Sequence, residues 1–168
     1  MRVRATGAPR AHPQGVGRGR RSVDSEIHIT SFLLAKTRNS CPKRRVWPPY
    51  NLTNLDLFHN SIGAEGAIAI AEALKVNAVV TTLRLNDNNI GPEGAIAIAE
   101  ALKVNAVLTE LNLRLNSIGP EGAIAIAEAL KVNAVLTKLD IRINRMGDAG
   151  KKAVRDAVMD RSGFELKL

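Results

Sequence analysis

Three histidines, one cysteine and sixteen acidic residues are the side chains of this sequence that could do chemistry. General acid–base catalysis needs His or carboxylate groups within hydrogen-bond reach of each other, and a metal site needs several of them converging. His12, His28 and His59 stand far apart along the chain, and Cys41 lies next to the basic cluster Pro42-Lys43-Arg44-Arg45-Val46. Glu65, Glu93 and Glu121 recur at a spacing of 28, as do Glu72, Glu100 and Glu128. The first set falls where a helix begins, facing the positive end of its dipole. The second falls on the solvated face of the same helix. No Gly-rich phosphate loop follows the pattern of a nucleotide binder. The expectation is a protein without catalytic residues, cofactor or metal, and not an enzyme.

What positions these groups is a repeat. The eighteen residues Ile90–Val107 recur unchanged at Ile118–Val135, and an earlier copy at Ile62–Val79 differs only in having Ala64 where the others have Pro92 and Pro120. A fixed period of 28 residues is the signature of a solenoid. Units starting at Leu52, Val80, Leu108 and Leu136 each read apolar-x-x-apolar-x-apolar-x-x-Asn, with Leu55 and Leu57, Leu83 and Leu85, Leu111 and Leu113, and Leu139 and Ile141 in the alternating part. Alternation of this kind puts both apolar side chains on one face of a short strand. Gly63, Gly91, Gly119 and Gly147 mark the turn out of it. Pro92 or Pro120, followed by Glu, suits the first turn of a helix. The Ala-rich run carries that helix to Lys103 or Val104, where Asn105 can end it.

One strand and one helix cannot close a core, so the units must stack in parallel, strands inside and helices outside. That stacking buries Leu55, Leu57, Ile70 and Leu74 with their equivalents, while small Ala67 and Ala71 let neighbouring helices approach. The Asn of each turn is polar in an apolar setting and must find partners. Asn60, Asn88, Asn116 and Asn144 are therefore expected to form a structural ladder bonded to backbone groups of adjacent turns.

The pattern Leu-x-x-Leu-x-Leu-x-x-Asn-x-Ile-Gly-x-x-Gly-Ala at this period resembles the ribonuclease-inhibitor type of leucine-rich repeat, over residues 52 to about 163. Repeat arrays of NOD-like receptors and of Ran GTPase-activating proteins are of the same type. The resemblance implies an α/β leucine-rich repeat solenoid, a horseshoe segment, whose role is to bind other proteins. It also raises regulation of a small GTPase as an alternative. The Cys found at some turns of the ribonuclease inhibitors is absent here.

Side chains alternating with the buried leucines point into the concave face of such a solenoid. They form the columns Asn54, Thr82, Glu110, Lys138; Asp56, Arg84, Asn112, Asp140; and Phe58, Asn86, Arg114, Arg142. His59, Asp87, Leu115 and Ile143 follow at the strand ends. The scaffold is copied almost unchanged while these columns differ between units, so they are the candidate protein-binding residues, the partner's identity being open. Ile68, Ile96 and Ile124 would form an apolar stripe across the outer helices, ended by Lys152.

The net charge of +8 belongs to one end. Residues 1–50 hold 11 of the 24 Lys and Arg against Asp24 and Glu26, leaving 13 basic and 14 acidic side chains for residues 51–168. The Arg-, Gly- and Pro-rich stretch to Arg21 cannot bury enough surface to order itself, so 1–50 is expected to be a disordered basic segment and 51–168 the repeat domain of four repeats plus a C-terminal strand. Non-specific binding of nucleic acid by that segment is the further alternative, less favoured than a protein partner. No apolar run approaches membrane-spanning length, and neither a membrane nor a small-molecule substrate is expected. A single cysteine fits a reducing compartment, giving a cytoplasmic reading with nucleus or organelle open from the Arg-rich start. Glu26–Leu34 is read as a lone apolar run, with Ile27 and Ile29 lying 28 residues before Leu55 and Leu57.

The two ends of the array differ. In the fourth unit Lys151 and Arg155 replace the packing alanines, which fits a wet terminal face, and Phe164–Leu168 alternates as a closing strand. Before Leu52 nothing resembles an amphipathic cap, so the N-terminal face is expected to be exposed.

Overall fold

The Leu-x-Leu pairs and Ala-rich runs form the elements their periods require. The computed structural model of the protein describes residues 52–168. The readings of the basic segment, of the run 26–34 and of an exposed N-terminal face depend on residues outside that range. Strands β1 (Asn54–Asp56), β2 (Thr82–Arg84), β3 (Glu110–Asn112), β4 (Lys138–Asp140) and β5 (Glu165–Lys167) alternate with helices α1 (Gly63–Val76), α2 (Gly91–Val104), α3 (Gly119–Val132) and α4 (Gly147–Val158). The strands form one parallel sheet in chain order. Leu55, Leu83, Leu111 and Leu139 lie side by side at the 28-residue step, while Leu166 pairs with Leu139 one residue earlier than that step. This is the α/β repeat solenoid that the period demands.

The core is a column of equivalent side chains. Leu57, Leu85, Leu113 and Ile141, each directly after its strand, meet Ile70, Ile98, Ile126 and Val154 from the helices, all buried. Each such side chain contributes roughly 1.5–3 kcal/mol on burial, and stacking is what supplies the burial. The alanines are only half of the close helix contact. A Cβ on Gly94 would lie 2.8 Å from the Ala67 Cβ, and one on Gly122 or Gly150 would crowd Ala95 or Ala123 equally. The second Gly of Gly-x-x-Gly is therefore the surface against which the preceding helix's Ala rests. In α4, Lys151 and Arg155 are exposed while Val154 and Val158 stay buried.

The strand-to-helix turns have a conformation the sequence pattern does not announce. His59, Ser61 and Gly63 all have positive φ, as do Asp87, Asn89 and Gly91, and the next two turns repeat this with Leu115, Ser117, Gly119 and Ile143, Arg145, Gly147. Left-handed backbone costs an L-residue about 1–2 kcal/mol, so each turn is held against strain. Cross-turn hydrogen bonds hold it: the His59 N–H donates to the Asn86 carbonyl at 3.1 Å and the Gly63 N–H to the Asn88 carbonyl at 2.9 Å, with matching pairs from Asp87 and Gly91 and from Leu115 and Gly119, while the turn at Ile143 takes part through the carbonyls of Arg142 and Asn144.

Candidate functional site

The polar groups of the scaffold fix the strands. Asn88 and Asn116 are buried inside the turns. The Asn116 Oδ1 accepts the Asn88 N–H at 2.9 Å, and its Nδ2 donates to the carbonyls of Leu85, Leu113 and Arg114 at 2.8, 3.0 and 3.2 Å. Asn88 serves Asn60 and Leu57 in the same way, and Asn144 serves Asn116 and Leu113. Each amide thus satisfies its own turn and the one before it. Asn60 departs from the expected interior position. It is half-buried in the first described turn, where its Nδ2 donates to the Phe58 carbonyl at 3.2 Å.

A second ladder runs along the helix-to-strand turns. Asn105, read from the sequence as a helix end, and its equivalent Asn133 donate from Nδ2 to the carbonyls of Leu74 and Leu102 in the preceding unit, both at 2.7 Å. Their Oδ1 atoms accept the N–H groups of Leu108 and Leu136, both at 2.8 Å. Where the series reaches its next member, 28 residues on, Arg161 takes the place of Asn. Its guanidinium donates to the carbonyls of Asn133 (2.9 Å), Leu130 (3.5 Å) and Leu136, and lies 4.6 Å from the centre of the Phe164 ring. Burial holds this guanidinium below its usual pKa. Thr81, Thr109 and Thr137 add a row of hydroxyl bonds to the carbonyl of the preceding unit's Thr.

With the strands so fixed, the variable side chains converge. Asp56, Phe58, Thr82, Arg84, Asn86, Glu110, Asn112, Lys138 and Asp140 line one open groove of about 380 Å³ that crosses all five strands. Asn54, Arg114 and Arg142 belong to the same columns but do not line it. The groove also takes in Lys167, which the columns as read from the four repeats omit. Its signal was the alternation of Phe164–Leu168: once β5 pairs with β4, Lys167 stands beside Asp140.

The charges of this face are mostly matched across strands. Lys138 bridges Glu110 at 2.6 Å and Glu165 at 3.4 Å, and Lys167 meets Glu165 at 2.9 Å. The hydrogen bond from Lys138 to Glu110 and the charges of both acids raise the Lys138 pKa, while Lys167 lowers that of Glu165. Arg142 grips Asp140 with Nε and Nη2 at 3.0 and 2.7 Å. Burial pushes the Asp140 carboxyl up, but the Arg142 bonds outweigh it and the net shift is downward. Exposed pairs of this kind add about 0–1 kcal/mol each, so they set the pattern of charge more than the stability. Arg84 reaches Asp56 only at 3.6 Å. The Arg114 Nε is shut off from solvent with no hydrogen-bond partner among the described residues.

Three residues of the second column also have a local duty. The Oδ1 atoms of Asp56, Asn112 and Asp140 accept the backbone N–H two residues on, those of Phe58, Arg114 and Arg142, at 3.1, 3.1 and 3.2 Å. These bonds pin the strand exits. Arg84 is the column's exception, since a guanidinium has no acceptor. At the strand ends, His59 and Asp87 are joined at 2.7 Å, whereas Leu115 and Ile143 are exposed.

On the outer surface Ile68, Ile96 and Ile124 are exposed as expected, and Val76, Val104 and Val132 form a second apolar row at the helix ends. Among the described residues no group of three or more His, Cys, Asp and Glu is placed to hold a metal ion, and no helix is long and apolar enough to cross a membrane.

A family model described as Leucine Rich repeat matches residues 51–71, 76–99, 104–127 and 132–154, together more than half of the chain. No curated protein sequence matches it. Among solved structures, a chain titled "Leiomodin-1 Actin-Binding Site 2 (ABS2)" superposes with a TM-score of 0.66 at 23% sequence identity, covering 89% of this chain and 80% of that one. At that identity the likeness is one of fold.

Proposed function

The chain belongs to the leucine-rich repeat family, and from that premise we propose that it is a non-catalytic interaction module whose concave face docks a protein partner. The observation that carries this reading is the convergence of the uncopied residues. Beside three helices that repeat nearly letter for letter, the strand segments bring nine side chains from columns that vary between units around one groove. The mixture of matched acids, bases and amides there, with Phe58 53% exposed at one end, suits a protein surface. Five strands at ~4.8 Å spacing give a floor only about 20 Å across, which favours a partner segment lying across the strands over a broad globular face. The unit length and the full helix in each turn support placing these repeats in the ribonuclease-inhibitor type. Regulation of a small GTPase rests on that resemblance alone, and the basic segment behind the nucleic-acid alternative lies outside the described residues.

The test is affinity enrichment with the full chain and with Phe58→Lys/Thr82→Lys, which adds two cations to the groove at positions outside both ladders. The expected result is a partner lost by this variant and retained by Ile68→Ser/Ile96→Ser on the helices. The reverse pattern would move the docking surface to the outer face. Because the leiomodin chain is titled as an actin-binding site, co-sedimentation with actin filaments belongs among the partners tried.

A further inference from the structure

The one strand exit that lacks its own acceptor stands inside the groove. At three of four exits a side-chain oxygen of the second column, from Asp56, Asn112 or Asp140, takes the N–H two residues ahead. At the remaining exit the column residue is Arg84, and the Asn86 N–H has no such partner: the cross-turn bonds there run from the N–H groups of Leu85 and Asp87, to the carbonyls of Asn112 and Arg114. Both Arg84 and Asn86 line the groove. A backbone donor and a guanidinium two residues before it therefore line the same groove, at an exit where neighbouring turns hold a carboxylate or amide oxygen. Arg84 is only loosely committed, 49% exposed and 3.6 Å from an Asp56 whose other oxygen is already bonded to the Phe58 N–H.

We propose that this exit is a carboxylate-binding site, in which an Asp or Glu side chain of the docked protein supplies the missing oxygen to the Asn86 N–H and pairs with Arg84. The inference deepens the concave-face reading and rests on it. Its physical basis is substitution: an oxygen geometry that the fold builds for itself three times is left, once, to be completed from outside, with a cation placed to favour an anion. Hydrogen bonds to charged groups are about twice as strong as neutral ones, so this single contact can select an acidic residue at one point of the partner segment. The nearby Asp56 and Glu110 carboxylates oppose any anion not held on both donors, which makes the site selective for position as well as charge.

The site can be probed without the partner by titrating the full chain with N-acetylglutamate and N-acetylglutamine while following backbone amide shifts. The acid should move the Asn86 amide with a dissociation constant on the order of millimolar. It should leave the amides of Phe58, Arg114 and Arg142, which are already capped, in place, and the neutral amide should do neither. Arg84→Asn supplies an internal oxygen and is expected to abolish the response while raising the denaturation midpoint; Arg84→Ala should abolish it without that rise. Equal shifts with both ligands, an unmoved Asn86 amide, or an undiminished response in Arg84→Asn would each overturn the proposal. Against a partner identified by enrichment, Arg84→Asn should weaken binding roughly tenfold or more. If Phe58→Lys/Thr82→Lys abolishes that binding and Arg84→Asn leaves it intact, the carboxylate site falls and the concave-face reading stands.

Discussion

The strand-to-helix turns and the helix-to-strand turns solve the same problem differently. Both must satisfy buried backbone groups where the chain reverses, and both use an Asn amide that reaches back to the preceding unit. The first set adopts three left-handed residues per turn and holds them by bonds between turns. The second is relaxed: Asn77, Asn105 and Asn133 leave their helices in extended conformation, at φ near −76° to −79°. The strained turns therefore depend on their neighbours for their shape, and the relaxed turns depend on them mainly for hydrogen bonds. Strain is concentrated beside the groove, next to its lining residues Phe58 and Asn86.

The largest break in this contrast should come from Asn116→Ala. It strips one acceptor and three donated bonds from a strained turn, and a loss of about 3 kcal/mol is expected in a denaturant melt. Asn133→Ala removes a comparable amide from a relaxed turn, and about 2 kcal/mol should follow. If it costs as much as Asn116→Ala in the same melt, left-handed strain adds nothing to the dependence. Arg161→Ala should cost roughly 1–2 kcal/mol, since the lost guanidinium bonds close only the last turn. Hydrogen exchange should show the loss confined to α4 and β5. Arg161→Asn should not restore it, because Arg161 stands three residues past the end of α4 whereas Asn133 directly follows α3. The smallest effect is a gain. Ile143 is β-branched, 59% exposed and at φ 59°, so Ile143→Gly should relieve strain at little loss of burial and add about 0.5–1 kcal/mol. A thermal midpoint that falls would mean that the Ile143 side chain contributes more by packing than its conformation costs.

How far the sequence carried varies with the residue. Asn88 and Asn116 are legible because each is polar at a position that the flanking leucines force inward, so partners must exist even before they can be named. Asn105 and Asn133 occupy helix ends, where Asn is ordinary, and nothing in their spacing separates a local cap from a bond to the preceding unit. The same limit applies to Gly94 beside Ala67: the pattern shows a small residue on each helix and leaves open which faces which. For the groove, alternation alone places nine of its lining residues. Lys167 escapes because the link before β5 is one residue shorter than the repeat, so counting by 28 puts it out of step.

By itself, then, the sequence determined the period, the strand-inside arrangement, the Asn ladder and the columns that vary, because each follows from where a side chain must point once an apolar face is buried. The tertiary structure decided the left-handed turns, the second ladder, the substitution of Arg161 for Asn and the uncapped Asn86 N–H. These are relations between residues brought together from neighbouring units, or backbone states that only such neighbours can hold. Local pattern fixes direction, and stacking fixes partner.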